Sequence, residues 1–158
     1  MPEFSHFDEH GASRMIDTSD KSETLREARA SAMVRLKAET ISLIRNRALL
    51  KGDVMEVARL AGIMAAKKTS DLIPLCHPLP LTSLDVHFTF PEETVLRIEA
   101  TARVVGRTGV EMEALTAAAV AALTVYDMCK SVERGIIIES VQLEHKSGGR
   151  SGIYSRGD

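Results

Sequence analysis

From residue 28 to residue 36 apolar and polar positions alternate: Ala28, Ala30, Ala32, Val34 and Leu36 share one parity, and Arg29, Ser31, Met33 and Arg35 the other. A period of two predicts a strand with one buried face, although the alanines also fit a helix. The same alternation returns at Leu84, Val86, Phe88 and Phe90 and, after the turn Pro91-Glu-Glu-Thr94, from Val95 to Val105. Two such runs joined by a short polar turn predict a hairpin. A last strand is expected from Ile136 to about Leu143, and Met15-Ile16-Asp17 is a short candidate strand near the start. Between the first strand and the hairpin the period changes. Ile41, Leu43 and Ile44 predict a helix over residues 38–46, and Asp53 with Glu56 three residues on predicts the start of a second helix running to about Lys68. Three prolines between Ile73 and Pro80 remove amide donors and fix backbone angles, so that stretch is expected to be a stiff loop.

The longest helical pattern runs from Gly109 to Gly135. Its middle, Leu115 to Val125, carries no charge, which predicts burial, because a solvent-facing stripe would hold Lys or Glu. Ionisable groups gather at its ends, Glu111 and Glu113 in front and Asp127 and Lys130 behind. Thr108 with Glu111 has the spacing of a capping box, and Gly135 after Arg134 is the expected stop. The order strand, helices, strand, strand, helix, strand is that of a ferredoxin-like split βαβ fold, an α+β class with an antiparallel sheet packed on helices. Residues 1–13, polar and without period, are expected to be flexible unless a partner orders them; 14–152 form one domain and 153–158 a tail.

At 158 residues, 44% of them hydrophobic, the chain is long enough to bury one core. With 20 Lys and Arg against 22 Asp and Glu it has no basic surface for a polyanion, so any phosphate site is local. An aromatic content of 4%, without an aromatic strand motif, argues against an RNA-binding domain of the same topology. The two cysteines, Cys76 and Cys129, are too few for a disulfide framework, which fits a reducing cytoplasm. The first residues show neither a basic region nor an apolar run, so no targeting segment is expected, and no apolar run is expected to approach the ~20 residues of a membrane span.

Asp127 and Lys130, three apart, are neighbours on one helical face; by spacing alone they are an ordinary surface ion pair. Their apolar neighbours Tyr126, Met128 and Cys129 favour partial desolvation, which would shift both groups toward proton transfer. Glu111 is explained by the capping box, whereas Glu113 is either a solvated acid suited to the helix dipole or a group placed for substrate. His77 is held by its proline loop beside Cys76, but too few further ligands accompany them for a metal site. Lys51-Gly52-Asp53 sets a cation before a helix N-terminus, where anions bind; Lys67 and Lys68 at that helix's other end read as dipole compensation. Lys146-Ser-Gly-Gly-Arg-Ser-Gly152 is either a phosphate-approaching loop or a mobile tail.

Taken together, Lys51-Gly-Asp53, Lys67 to Pro78, Gly109-Val-Glu-Met-Glu-Ala-Leu-Thr116, Val125-Tyr-Asp-Met-Cys-Lys130 and Lys146-Ser-Gly-Gly149 resemble the cyclic pyranopterin monophosphate synthase family, molybdenum cofactor biosynthesis protein C, over about residues 12 to 152. The resemblance implies a cytoplasmic ferredoxin-like enzyme that is a homohexamer, a trimer of dimers, and needs no redox cofactor. Its substrate would be 3',8-cyclo-7,8-dihydroguanosine triphosphate, rearranged to cyclic pyranopterin monophosphate with release of pyrophosphate. Carried over by position, Asp127 and Lys130 would be the central acid/base pair and Lys51 a second catalytic cation. Leu75, Cys76 and His77, with Met112 and Glu113, would contact substrate. Neither nucleic acid nor membrane is expected as a partner. The competing reading is a non-catalytic small-molecule binding module on the same fold. Seventeen residues separate Glu113 from Lys130, about 25 Å along a continuous helix at 1.5 Å per residue, so a site using both ends requires two subunits.

Overall fold

The computed structural model describes residues 5–157. In chain order the elements are β1 (Thr24–Arg35), α1 (Ala38–Arg45), α2 (Val54–Ala66), α3 (Thr69–Leu72), β2 (Ser83–Glu92), β3 (Val95–Gly106), α4 (Glu111–Cys129), β4 (Ile137–Ser147) and β5 (Tyr154–Ser155). The sheet order is β2-β3-β1-β4-β5, with every neighbouring pair antiparallel. Its first four strands have the ferredoxin-like order, in which each βαβ unit leaves room for a strand of the other.

The alternation read from the sequence decides which face is covered. Ala28, Ala30, Ala32 and Val34 of β1 and Leu96, Ile98, Ala100, Ala102 and Val104 of β3 are fully buried beneath the helices. The other face carries ion pairs between strands, Arg29 with Glu99, Arg97 with Glu144, Arg103 with Glu27 and Arg35 with Glu139, and one along β3, Arg97 with Glu99. Period two delivers both faces at once, apolar toward the helices and charged away from them.

Helix α4 lies across β1, β3 and β4 and takes α2 along its side. Its small residues Ala114, Ala117, Ala118, Ala121 and Ala122 are all buried, and small side chains let the helix axis approach sheet and partner helix together. At 19 residues it is apolar and long enough to cross a membrane, contrary to the expectation that no such run exists; over half of it is buried in this core. Gly62 of α2 marks the closest approach: a Cβ there would sit 2.9 Å from the Ala117 carbonyl oxygen. Because that obstacle is backbone, Gly62→Ala is expected to lower stability by about 1–2 kcal/mol, even though alanine is the better helix former, read as a lower urea midpoint.

Four local expectations are corrected. Met15-Ile16-Asp17 is not a strand, because the Ile16 carbonyl is engaged by His77 instead of a sheet neighbour. Thr108 does not cap α4: its N-cap is Val110, without a side-chain bond, and Glu111 pairs with Lys146. The helix ends at Cys129, well before Gly135. The last strand runs on to Ser147, and β5 and α3 carry no periodic signal long enough to announce them. By contrast Asp53 caps α2 as expected, accepting from the Glu56 amide.

The expectation for residues 1–13 falls partly outside the described residues, at 1–4, as does the last residue of the tail, 158. Residues 5–14 form a small hairpin, closed by the Phe7–Ser13 bridge and by the Arg14 amide donating to the His6 carbonyl at 2.7 Å.

Candidate active site

At the back end of α4 three predicted residues meet. Lys130 Nζ donates to Asp127 Oδ1 at 2.6 Å, and Lys51 Nζ donates to the Asp127 carbonyl at 2.9 Å and stands 4.0 Å from Asp127 Oδ2. Lys51 arrives from the α1–α2 connection, which is fixed by the Ala48 amide bonded to the Leu43 carbonyl and by the Arg47–Asp53 ion pair. Beneath it a buried acid ties α1 to the exit of α4: Glu133 accepts from the Lys37 amide and from the Thr40 hydroxyl.

The expected desolvation of the pair is absent. Asp127 is 63% exposed, because one helical turn sends Met128 and Cys129 into the core while Asp127 and Lys130 face outward. The Lys130 hydrogen bond, then its charge and that of Lys51, hold the Asp127 carboxyl below the usual range, and the same contact raises Lys130. Each group therefore favours its charged form, which populates carboxylate and ammonium but weakens the one as a base and the other as an acid, opposite to the shift toward proton transfer expected from desolvation. Burial pushes the thiol of Cys129 up to about 11, so it stays protonated within the core.

At the front of α4 the environment reverses. Glu113 is 4% exposed, which removes the solvated-acid alternative, and burial raises its carboxyl to about 7. Glu113, Met112, Leu75, Cys76 and His77 line one cavity of about 190 Å³. The proline loop brings the last three there from 35 or more residues away, and burial with the nearby Glu113 charge pushes the Cys76 thiol up. His77 Nε2 lies 2.7 Å from the Ile16 carbonyl and donates to it, which fixes the orientation of the ring. All five substrate-contacting candidates thus share one cavity, and all three catalytic candidates share one cluster. A continuous helix separates the two groups, so one chain does not bring them together.

Against the first cavity lies a second of about 340 Å³, lined by Lys21, Thr24, Arg26, Gly149 and Arg150, with Lys21 common to both. The Lys146-Ser-Gly-Gly motif is thus packed against β1: Gly148 adopts φ 94°, and any side chain there would strike the Leu25 carbonyl. Three cations around one recess, Lys21, Arg26 and Arg150, are suited to phosphate oxygens. Lys21 and Arg26 carry no signal in the sequence, since each stands alone in an unremarkable stretch and only the returning C-terminal loop makes them a group. Among the described residues no three His, Cys, Asp or Glu side chains gather closely enough to hold a metal ion.

The Glu113 carboxyl makes stability depend on pH. Between its ordinary value of 4.5 and about 7 the folded chain holds this proton and the unfolded chain does not, so stability falls as pH rises through that window. Glu113→Gln is expected to remove the slope. The variant should match the parent near pH 4 and exceed it at pH 8 by up to about 3 kcal/mol, measured as urea midpoints at both values.

Fold and site define an α+β protein of ferredoxin-like topology whose candidate site residues gather at the two ends of its core helix. The chain belongs to the MoaC family, whose model matches residues 15–149. It is 57% identical to a cyclic pyranopterin monophosphate synthase of Thermomicrobium roseum, over 100% of this chain and 96% of that one. It is 53% identical to the protein of the same name from Heliobacterium modesticaldum, over 99% of each. To cyclic pyranopterin monophosphate synthase 1 of Mycobacterium bovis it is 57% identical, over 96% of this chain and 89% of that one.

Proposed function

We propose that this chain is a cyclic pyranopterin monophosphate synthase of molybdenum cofactor biosynthesis, a cytoplasmic lyase that converts 3',8-cyclo-7,8-dihydroguanosine triphosphate to cyclic pyranopterin monophosphate and pyrophosphate. The observation that carries this reading is the meeting of Lys51, Asp127 and Lys130 on one helix end, at the positions the resemblance singles out. Opening a purine-derived ring, closing a pyran and forming a cyclic phosphate require successive proton transfers and attack at phosphorus. Asp127 as carboxylate accepts a proton, Lys130 as ammonium returns one, and Lys51 offsets charge developing on oxygen. A ligand seated over the exposed pair excludes water and strengthens each of these interactions.

Glu113 and His77 offer a carboxyl and an imidazole to the heterocyclic edge, and the recess of Lys21, Arg26 and Arg150 takes the triphosphate. The 190 Å³ of the front cavity is below the roughly 300–1,000 Å³ of a typical small-molecule site, so this cavity is one part of a larger site. The remainder comes from the Asp127 end of a neighbouring subunit in a homohexamer, a trimer of dimers. Incubating the protein with the cyclic dihydro-GTP intermediate should release pyrophosphate and a cyclic pyranopterin phosphate. Binding without product would leave the non-catalytic module in its place.

A further inference from the structure

Arg150 is carried to the second cavity by residues 148–153, the loop between β4 and β5. Gly148, Gly149 and Gly152 all stand at positive φ there, and glycines leave a loop many conformations unless something outside it fixes its ends. One end is β4. The other is β5, a strand of two residues whose ladder consists of Ser155 with His145 and Tyr154 with Lys146, too short to hold by itself. Arg156 supplies what the ladder lacks. Its Nε donates to the Leu143 carbonyl at 2.8 Å and lies 3.9 Å from Glu144 Oε2, and its amide donates to the Glu144 carbonyl at 2.8 Å. Glu144 is itself fixed, its side chain only 13% exposed and accepting from Ser31, Gln142 and Arg97. Between these anchors Lys146 Nζ donates to Ser151 Oγ, next to Arg150 in the chain. Residues 150–156 lie past the span matched by the family model, yet Arg150 and Ser151 line the recess.

We propose that Arg156 is a positioning residue of the anion recess: by clasping the C-terminal return to β4 it holds Arg150 at the cavity that Lys21 and Arg26 also line. The inference rests on the reading of that recess as the seat of the triphosphate, and adds what keeps its third cation in place. Arg156 stands outside the lining, so it acts through Arg150. A cation ordered in advance loses less freedom when the anion binds.

Inorganic tripolyphosphate, a probe that needs no turnover, is titrated calorimetrically into the parent, Arg150→Ala, Arg156→Ala and the double variant, all as full-length chains. The Arg156 side chain is 44% exposed, so its truncation should leave the core intact, with equal urea midpoints as the check. Arg150→Ala should raise Kd about tenfold, by loss of a charge-assisted contact, and Arg156→Ala about three- to fivefold. Because one residue acts through the other, the double variant should bind no more weakly than Arg150→Ala, whereas independent effects would multiply. With the cyclic dihydro-GTP intermediate the same order should appear in KM rather than in kcat. Parental affinity in Arg156→Ala, or effects that multiply in the double variant, would overturn the proposal. A parent that binds no tripolyphosphate, or Arg150→Ala binding as the parent does, would remove the recess as the anion seat and the proposal with it. Binding that follows the expected order in a chain unable to turn over the intermediate would retire the synthase reading and leave the clasp standing.

Discussion

Asp127→Asn should fold as the parent does and lose about two to four orders of magnitude in kcat, the usual share of positioned acid/base catalysis. The substitution is nearly isosteric at a side chain that is 63% exposed, so the core has no reason to respond. What it removes is the carboxylate that Lys130 and Lys51 face at 2.6 Å and 4.0 Å. Lys130→Ala should cost a comparable factor by deleting the other half of the pair. Because the two act as one unit, the double variant should be little worse than either single one. Stopped-assay rates with matched circular dichroism would check this, and near-parental turnover of either single variant would remove the pair from the chemistry.

Mixing two impaired proteins should restore activity. Glu113→Ala damages the front of α4 and Asp127→Asn the back, and these two residues, 14 apart, lie about 21 Å from each other along one chain. If each site takes its front from one subunit and its back from another, random 1:1 reassembly leaves about a quarter of the sites with both halves intact. Turnover in the refolded mixture should then approach about a quarter of parental, far above either component alone. Tagged subunits would establish that the oligomers are mixed. Mixed oligomers as inactive as their components would mean that each site is built from one chain.

How much of this was legible in the chain itself varied with the range of the forces involved. The four long strands and α2 were readable because alternation along β1 or β3 and the Asp53 cap are local consequences of which face meets the core. The burial of α4 followed from its charge-free middle, while its ends did not: the caps proposed from Thr108 and Gly135 lost to tertiary partners, Glu111 being drawn to Lys146 from a strand over thirty residues away. The same limit governs the site. Lys51, Asp127 and Lys130 were found by motif and do meet, yet their exposure depends on which side of the last turn the core occupies, and neighbours in sequence misled on that point. Glu113 was named as a site residue without its burial, which is imposed by a loop from elsewhere in the chain. Nothing local marks His6, Lys21 or Arg26, because only the fold brings them to the cavities.

The burial of α4 against both sheet and α2 makes it a protractor as well as a ruler. Each residue advances the helix by about 1.5 Å and turns it by about 100°, so one residue inserted mid-helix would shift the Asp127 end only slightly but swing it by more than a quarter circle relative to Glu113. If sites are shared between subunits as proposed above, every one of them would be misphased at once. An insertion of about seven residues, two full turns, would nearly restore the heading but carry the Asp127 end about 10.5 Å along the axis, so the length of this helix as well as its phase fixes where its two ends lie.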